Sequence, residues 1–273
     1  MLFALLFSGN ALFSQAIRQQ ALVMGLTDDI YSEELSEVRT LNIYLPEGYN
    51  ADSAARYPVI YVLDGSIDED FPHIMGLVQF LSFPWITIVS PSIVVGIANV
   101  NRKRDFTSPS SDSTDIVRAP GNGGSEKFIR FVENELQPYI TNNYNTTDQK
   151  TVIGQSLGGL LATEILVRKP ELFTHYVIIS PSLWWNHSTL LADIPAFLKS
   201  HSDLKKDVFI AVGNEGKEMN DDVKQMAGYF KKYAPKTVNW KYLYLPEENH
   251  ATALHRGAYA AFEFFAEGKL KTQ

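Results

Sequence analysis

Ser156 lies between paired glycines in Gly154-Gln155-Ser156-Leu157-Gly158, a histidine stands late in the chain at His250, and acidic residues fall between them. These types in this order suit nucleophilic acyl chemistry. A serine in a sharp strand-to-helix turn presents its hydroxyl above a sheet, and such a turn needs small residues two before and two after it, as Gly154 and Gly158 are. A hydroxyl is a weak nucleophile near neutrality, so it also needs a base within hydrogen-bond reach and a group to orient that base.

Where a sheet carries such a turn, the chain order is serine, acid, histidine, each just past a strand end. Of the six histidines, His250 follows the last expected strand through Pro246-Glu-Glu-Asn249. His255, one turn inside the closing helix, is the alternative. His73 precedes the serine, His175 opens a strand, and His187 and His201 lie in or beside the connection after Trp185. Among the acids Glu215 is nearest the strand ending Val212-Gly213, with Glu218, Asp221, Asp222 or no acid at all as alternatives. Asp221 and Asp222 also read as N-terminal helix residues, favourable at the positive end of the dipole. An oxyanion needs two backbone N–H donors. Leu157 supplies one, and the turn Asp64-Gly65-Ser66 after an apolar strand supplies the other, from Ser66 with Gly65 beside it.

The elements that must position these groups are legible in outline. Arg39 to Leu45 alternates with period two, as an antiparallel strand does. Tyr57 to Leu63 and Ile93 to Ile97 are continuous apolar runs suited to strands buried on both faces. Gly124 to Ile140 has helical spacing at Phe128, Phe131, Val132, Leu136 and Ile140. The apolar strand from Thr151 enters the serine turn, and Leu157 to Lys169 follows as a helix closed by Pro170. Strands at Tyr176 to Ile179, Val208 to Val212 and Asn239 to Leu245 then alternate with helices at Thr189 to Lys199, Asp221 to Tyr233 and Ala251 to Glu267. This alternation implies an α/β fold with a doubly wound, mostly parallel sheet and functional groups at the carboxyl ends of its strands.

At 273 residues, 45% of them hydrophobic, the chain is long enough for one full core. Its net charge of −7 argues against a nucleic-acid partner. With no cysteine, disulfides, thiolate metal sites and cysteine nucleophiles are excluded. Residues 1–16 are apolar and end in Ser14-Gln15-Ala16, which resembles a signal cleaved after Ala16, although a basic start is missing. The expectation is a periplasmic or secreted protein, with a cytoplasmic one as the alternative, and a domain over residues 17–273. That apolar run is too short to span a bilayer, and the mature chain is expected not to insert in a membrane.

Several blocks carry a resemblance: Tyr61-Val-Leu-Asp-Gly65, Arg102-Lys-Arg-Asp-Phe-Thr107, Gly123-Gly-Ser-Glu-Lys-Phe128 with Glu135-Leu-Gln-Pro-Tyr-Ile140, the serine turn, Ser180-Pro-Ser-Leu-Trp-Trp185 and Glu247-Glu-Asn-His250. In order and spacing they resemble the putative esterase (esterase D-like) family, and within it the branch that opens trilactone siderophores. The resemblance covers roughly residues 35 to 266. It implies an α/β-hydrolase fold, hydrolysis of acyl esters without metal or organic cofactor, Ser156 and His250 as nucleophile and base, and an oxyanion loop at Gly65-Ser66. Two departures stand out. Gln155 replaces the histidine usual before the nucleophile, which bears on pocket polarity, and Glu215 comes two residues beyond Gly213 where relatives place a carboxylate at three.

Arg102 and Arg104 suit an anionic or polyphenolic substrate through planar, charge-assisted hydrogen bonds, or alternatively pair with Asp105 as support. Trp184 and Trp185 offer an aromatic wall, or core. The expected protein is a serine carboxylic-ester hydrolase acting on a small-molecule ester as a monomer or weak dimer. An acyltransferase with the same machinery and a binding protein without turnover are the alternatives.

Overall fold

The computed structural model describes residue 18 and residues 20–270, so the expected leader, residues 1–16, lies outside the described residues. Strands β1 (Leu26–Ser32) and β2 (Glu37–Tyr44) pair antiparallel at one edge. The apolar runs form β3 (Tyr57–Val62), β4 (Ile93–Ile97), β5 (Thr146–Gln155), β6 (His175–Ile179), β7 (Asp207–Gly213) and β8 (Asn239–Leu245). The eight-stranded sheet has the order β1-β2-β4-β3-β5-β6-β7-β8. β2 meets β4 antiparallel, and every pairing from β4 to β8 is parallel. Strand β1 escapes sequence reading because it is largely solvated and lacks a continuous apolar pattern.

Each central strand sends alternate residues to opposite faces, so both faces must be covered. On β3, Val59 and Tyr61 enter one core, and Ile60 and Val62 enter the other. Helices α1 (Phe71–Leu81) and α9 (Ala253–Leu270) cover the second face. The first face carries the remaining elements. These are the short helices α2 (Arg102–Asp105), α3 (Ser113–Arg118), α4 (Ser125–Phe131) and α5 (Gln137–Asn143), and the longer α6 (Leu157–Arg168), α7 (Trp185–Ser200) and α8 (Lys217–Tyr233). Helix α1, like β1, goes beyond what the sequence patterning indicated.

Three boundaries differ from expectation for local reasons. The helix over 124–140 is interrupted by a π-helical turn at Val132–Leu136 immediately before α5, whose second residue is Pro138. Phe128, Phe131, Val132, Leu136 and Ile140 are nevertheless all buried. Between Trp185 and the body of α7, Asn186, His187 and Ser188 take left-handed φ values of 47°, 56° and 56°. Helix α8 begins at Lys217, so Asp221 and Asp222 lie in its second turn rather than at its N-terminus, and Glu218 occupies the first turn. Among the described residues, no helix is long and apolar enough to cross a membrane.

Candidate active site

Strand β5 ends at Gln155, and the chain turns at Ser156 with φ 59° and ψ −120°, a sparsely populated backbone conformation for a residue with a side chain. Its N–H donates to the Ile179 carbonyl at 3.1 Å, and its own carbonyl accepts from Leu160 N–H at 2.9 Å, so the turn is tied to β6 and to α6. The turn requires glycine most at positions 154 and 159. A Cβ on Gly154 would lie 2.3 Å from the Gly158 carbonyl oxygen, and one on Gly159 would lie 2.8 Å from the Ile179 oxygen. At Gly158 the nearest atom would be 3.3 Å away, so the tighter constraint falls one residue later than the spacing rule indicates.

The loop after β8 brings His250 over this turn. Its Nε2 is 3.1 Å from Ser156 Oγ, and its Nδ1 is 2.5 Å from Glu215 Oε2. The Glu215 side chain is only 2% exposed, whereas that of His250 is 48% exposed. Burial by itself would raise the Glu215 carboxyl pKa. Hydrogen bonds from His250, Ser180 and the Gly213 N–H outweigh it and hold the group below the usual carboxylate value. Glu215 is therefore the carboxylate within reach of His250, and both of its oxygens are engaged.

The other candidates are elsewhere. His255 packs edge-on against His73, ring centroids 3.9 Å apart, on α9. Glu218 and Asp221 are exposed on α8. The Asp222 carboxyl is raised first by its own burial and then by the neighbouring charges of Glu218 and Asp221.

Leu157 opens α6, where the first N–H groups have no intrahelical acceptor, and it is free to point at a developing charge. Gly65 lies in the turn after β3, beside Ser66. Its N–H is spent on the Ile97 carbonyl at 3.0 Å, and its role is steric, since a Cβ there would lie 2.3 Å from Ile97 N. Ser66 N–H, in the turn where a second donor is expected, meets Glu69 Oε2 at 3.3 Å.

Both arginines are engaged by carboxylates. Arg102 grips Asp64, rather than Asp105, through Nε at 2.5 Å and Nη2 at 2.8 Å, and reaches the Gln155 carbonyl at 3.4 Å. Arg104 is bound by Asp105 at 2.6 Å and by both oxygens of Glu37, at 2.6 and 3.1 Å, so its guanidinium is already committed. Asp105 also holds the fully buried Arg39 at 2.9 Å, and that guanidinium stacks on Phe128. The tryptophans divide. Trp185 is 2% exposed and donates its indole N–H to the Ser108 carbonyl at 2.9 Å, which makes it core. Trp184 is half-buried and lies under the Arg118 guanidinium at 5.4 Å. Gln155 Nε2 donates to the His250 carbonyl oxygen, which ties the residue before the nucleophile to the histidine loop.

The Ser180-Pro-Ser182 block contains two serines whose roles sequence reasoning misses. Ser180 donates to Glu215 Oε1, and Ser182 Oγ stands 3.5 Å from Ser156 Oγ. The signal available was positional, since both follow the end of β6, the strand beside the serine turn. Among the described residues, no group of three or more histidine or acidic side chains could hold a metal ion.

The chain has relatives among known proteins. The family model described as Putative esterase matches residues 32–266. The chain is similar to the ferri-bacillibactin esterase BesA of Bacillus subtilis, 31% identical over 211 residues that cover 70% of this chain and 72% of that one. Among solved structures it is similar to an IroE-like serine hydrolase from Shewanella oneidensis, with 31% identity and a TM-score of 0.81 over 89% of this chain and 80% of that one. It is also similar to the BES protein from Bacillus cereus, with 27% identity and a TM-score of 0.81 over 92% of this chain and 98% of that one.

Proposed function

The chain belongs to the Putative esterase family, and on that premise we propose that it is a serine carboxylic-ester hydrolase that works through an acyl-enzyme. The observation that carries this reading is the unbroken line from Ser156 Oγ through His250 to the buried Glu215. Ser156 Oγ attacks the ester carbonyl carbon while His250 Nε2 takes its proton, and Glu215 stabilises the imidazolium as it forms. The N–H groups of Leu157 and Ser66 receive the oxyanion. His250 then protonates the departing alcohol, and a water activated by the same nitrogen releases the acid.

The half-exposed edge of His250 favours water as the second nucleophile, since a transferase must exclude it. The substrate class we infer is a siderophore-type ester. It is supported by the similarity to BesA, named for ferri-bacillibactin, and by the IroE-like hydrolase at the same level of identity.

The purified protein is to be assayed against short p-nitrophenyl esters and trilactone siderophores, with Ser156→Ala as the control. The hydroxyl is needed for covalent chemistry and adds little packing, so this variant stays folded and loses turnover. Retained turnover in the folded variant would refute the mechanism. Turnover of simple esters but of no trilactone would refute the substrate class alone.

A further inference from the structure

The two donors of the oxyanion hole are not equally available, and this asymmetry rests on the assignment of Leu157 and Ser66 made above. Leu157 N–H has no intrahelical acceptor. Ser66 N–H is hydrogen-bonded to Glu69 Oε2 at 3.3 Å, while Glu69 N–H donates back to the Ser66 carbonyl at 3.1 Å. The pattern Ser66-Ile-Asp-Glu69 is that of a capping box, in which an acidic side chain three residues on returns to the first residue's N–H. Here the capped N–H is also a catalytic donor. The carboxylate has a second holder, because Asn99 Nδ2 lies 3.1 Å from Oε1 and 3.0 Å from Oε2. Asn99 is itself anchored to Asp64 Oδ1 at 2.7 Å, and its N–H reaches Ser66 Oγ at 3.3 Å.

We propose that Glu69 gates the oxyanion hole: its carboxylate occupies Ser66 N–H in the resting enzyme and must yield that donor before the tetrahedral intermediate can use it. Release costs one long, solvated hydrogen bond, and Asn99 retains the carboxylate when the bond opens. The charge works in the same direction, since a carboxylate beside the hole disfavours the anionic transition state that the donors exist to stabilise.

The test is steady-state hydrolysis of p-nitrophenyl acetate by the full chain. Glu69→Ala raises kcat by about three- to tenfold with KM nearly unchanged, because the effect is confined to the charged transition state. Glu69→Gln keeps an oxygen able to cap the turn but loses the charge, and its kcat falls between those of Glu69→Ala and the wild type. A trifluoromethyl ketone that forms a tetrahedral adduct binds Glu69→Ala more tightly by a similar factor. A kcat for Glu69→Gln no higher than that of the wild type, at an unchanged melting temperature, overturns the gate. Labelling of Ser156 by a fluorophosphonate separates this failure from failure of the esterase reading. A labelled, active enzyme without the gain loses only the gate, whereas an unlabelled serine removes both.

Discussion

The Ser180 hydroxyl donates to Oε1 of Glu215, leaving Oε2 for His250. Gly213 N–H binds the same Oε1 at 3.0 Å, so two donors at the ends of β6 and β7 fix the plane of the carboxylate before the histidine meets it. Ser180 is fully buried with φ 44°, a costly conformation for a residue with a side chain, held at a strand end where it orients the acid.

Ser180→Ala should therefore lower kcat by about tenfold, equivalent to roughly 1.4 kcal/mol of transition-state stabilisation, with KM little changed. Steady-state kinetics on a soluble p-nitrophenyl ester is the check. An equal rise in KM and fall in kcat/KM at constant kcat would show that the residue shapes binding instead.

Glu215→Gln removes the negative charge opposite the imidazolium and should cost about a hundredfold or more in kcat. Glu218→Gln, in the exposed first turn of α8, should be nearly silent. Parallel kinetics of the two variants decides the matter, and a larger loss at Glu218 would move the acid.

Arg104→Ala should lower the melting temperature and leave KM unchanged, since its guanidinium is taken up by Glu37 and Asp105. Asp105→Ala should be worse, at about 3–5 kcal/mol, because it strands much of the charge of the buried Arg39. Urea unfolding of both variants, read beside ester kinetics, tests the supporting role. A raised KM in Arg104→Ala without loss of stability would restore the arginine to substrate binding.

Asp70, which precedes α1, has its carboxyl pushed up from 3.8 to about 6, first by burial and then by the charges of Asp64 and Glu69, with Arg102 opposing. Between these values the folded protein holds the proton more tightly than the unfolded chain, so stability falls as pH rises through that window. Asp70→Asn should thus be more stable than the wild type at about pH 8, with the advantage gone near about pH 3.5. Thermal unfolding across this range is the measurement, and a pH-independent difference would rule out the titration.

What could be read from the residues alone was what neighbouring positions dictate. A serine between glycines, an apolar run before it and a helix after it define the turn at Ser156, and the order of the elements points to His250 past the last strand. These are short-range constraints, set by the volume of a missing Cβ and by hydrogen bonds within one strand, turn or helix. The acid stayed open among Glu215, Glu218 and later residues because the loop spacing allows each of them. Only the register of β6, β7 and β8 places Glu215 between Ser180 and His250, each 35 residues away along the chain. Arg104 is engaged in the same way by Glu37, 67 residues distant, and Gln155 Nε2 by a carbonyl 95 residues ahead. A side chain's free hydrogen-bonding capacity is what decides such roles, and the folded sheet determines how much remains by bringing distant strand ends to one edge.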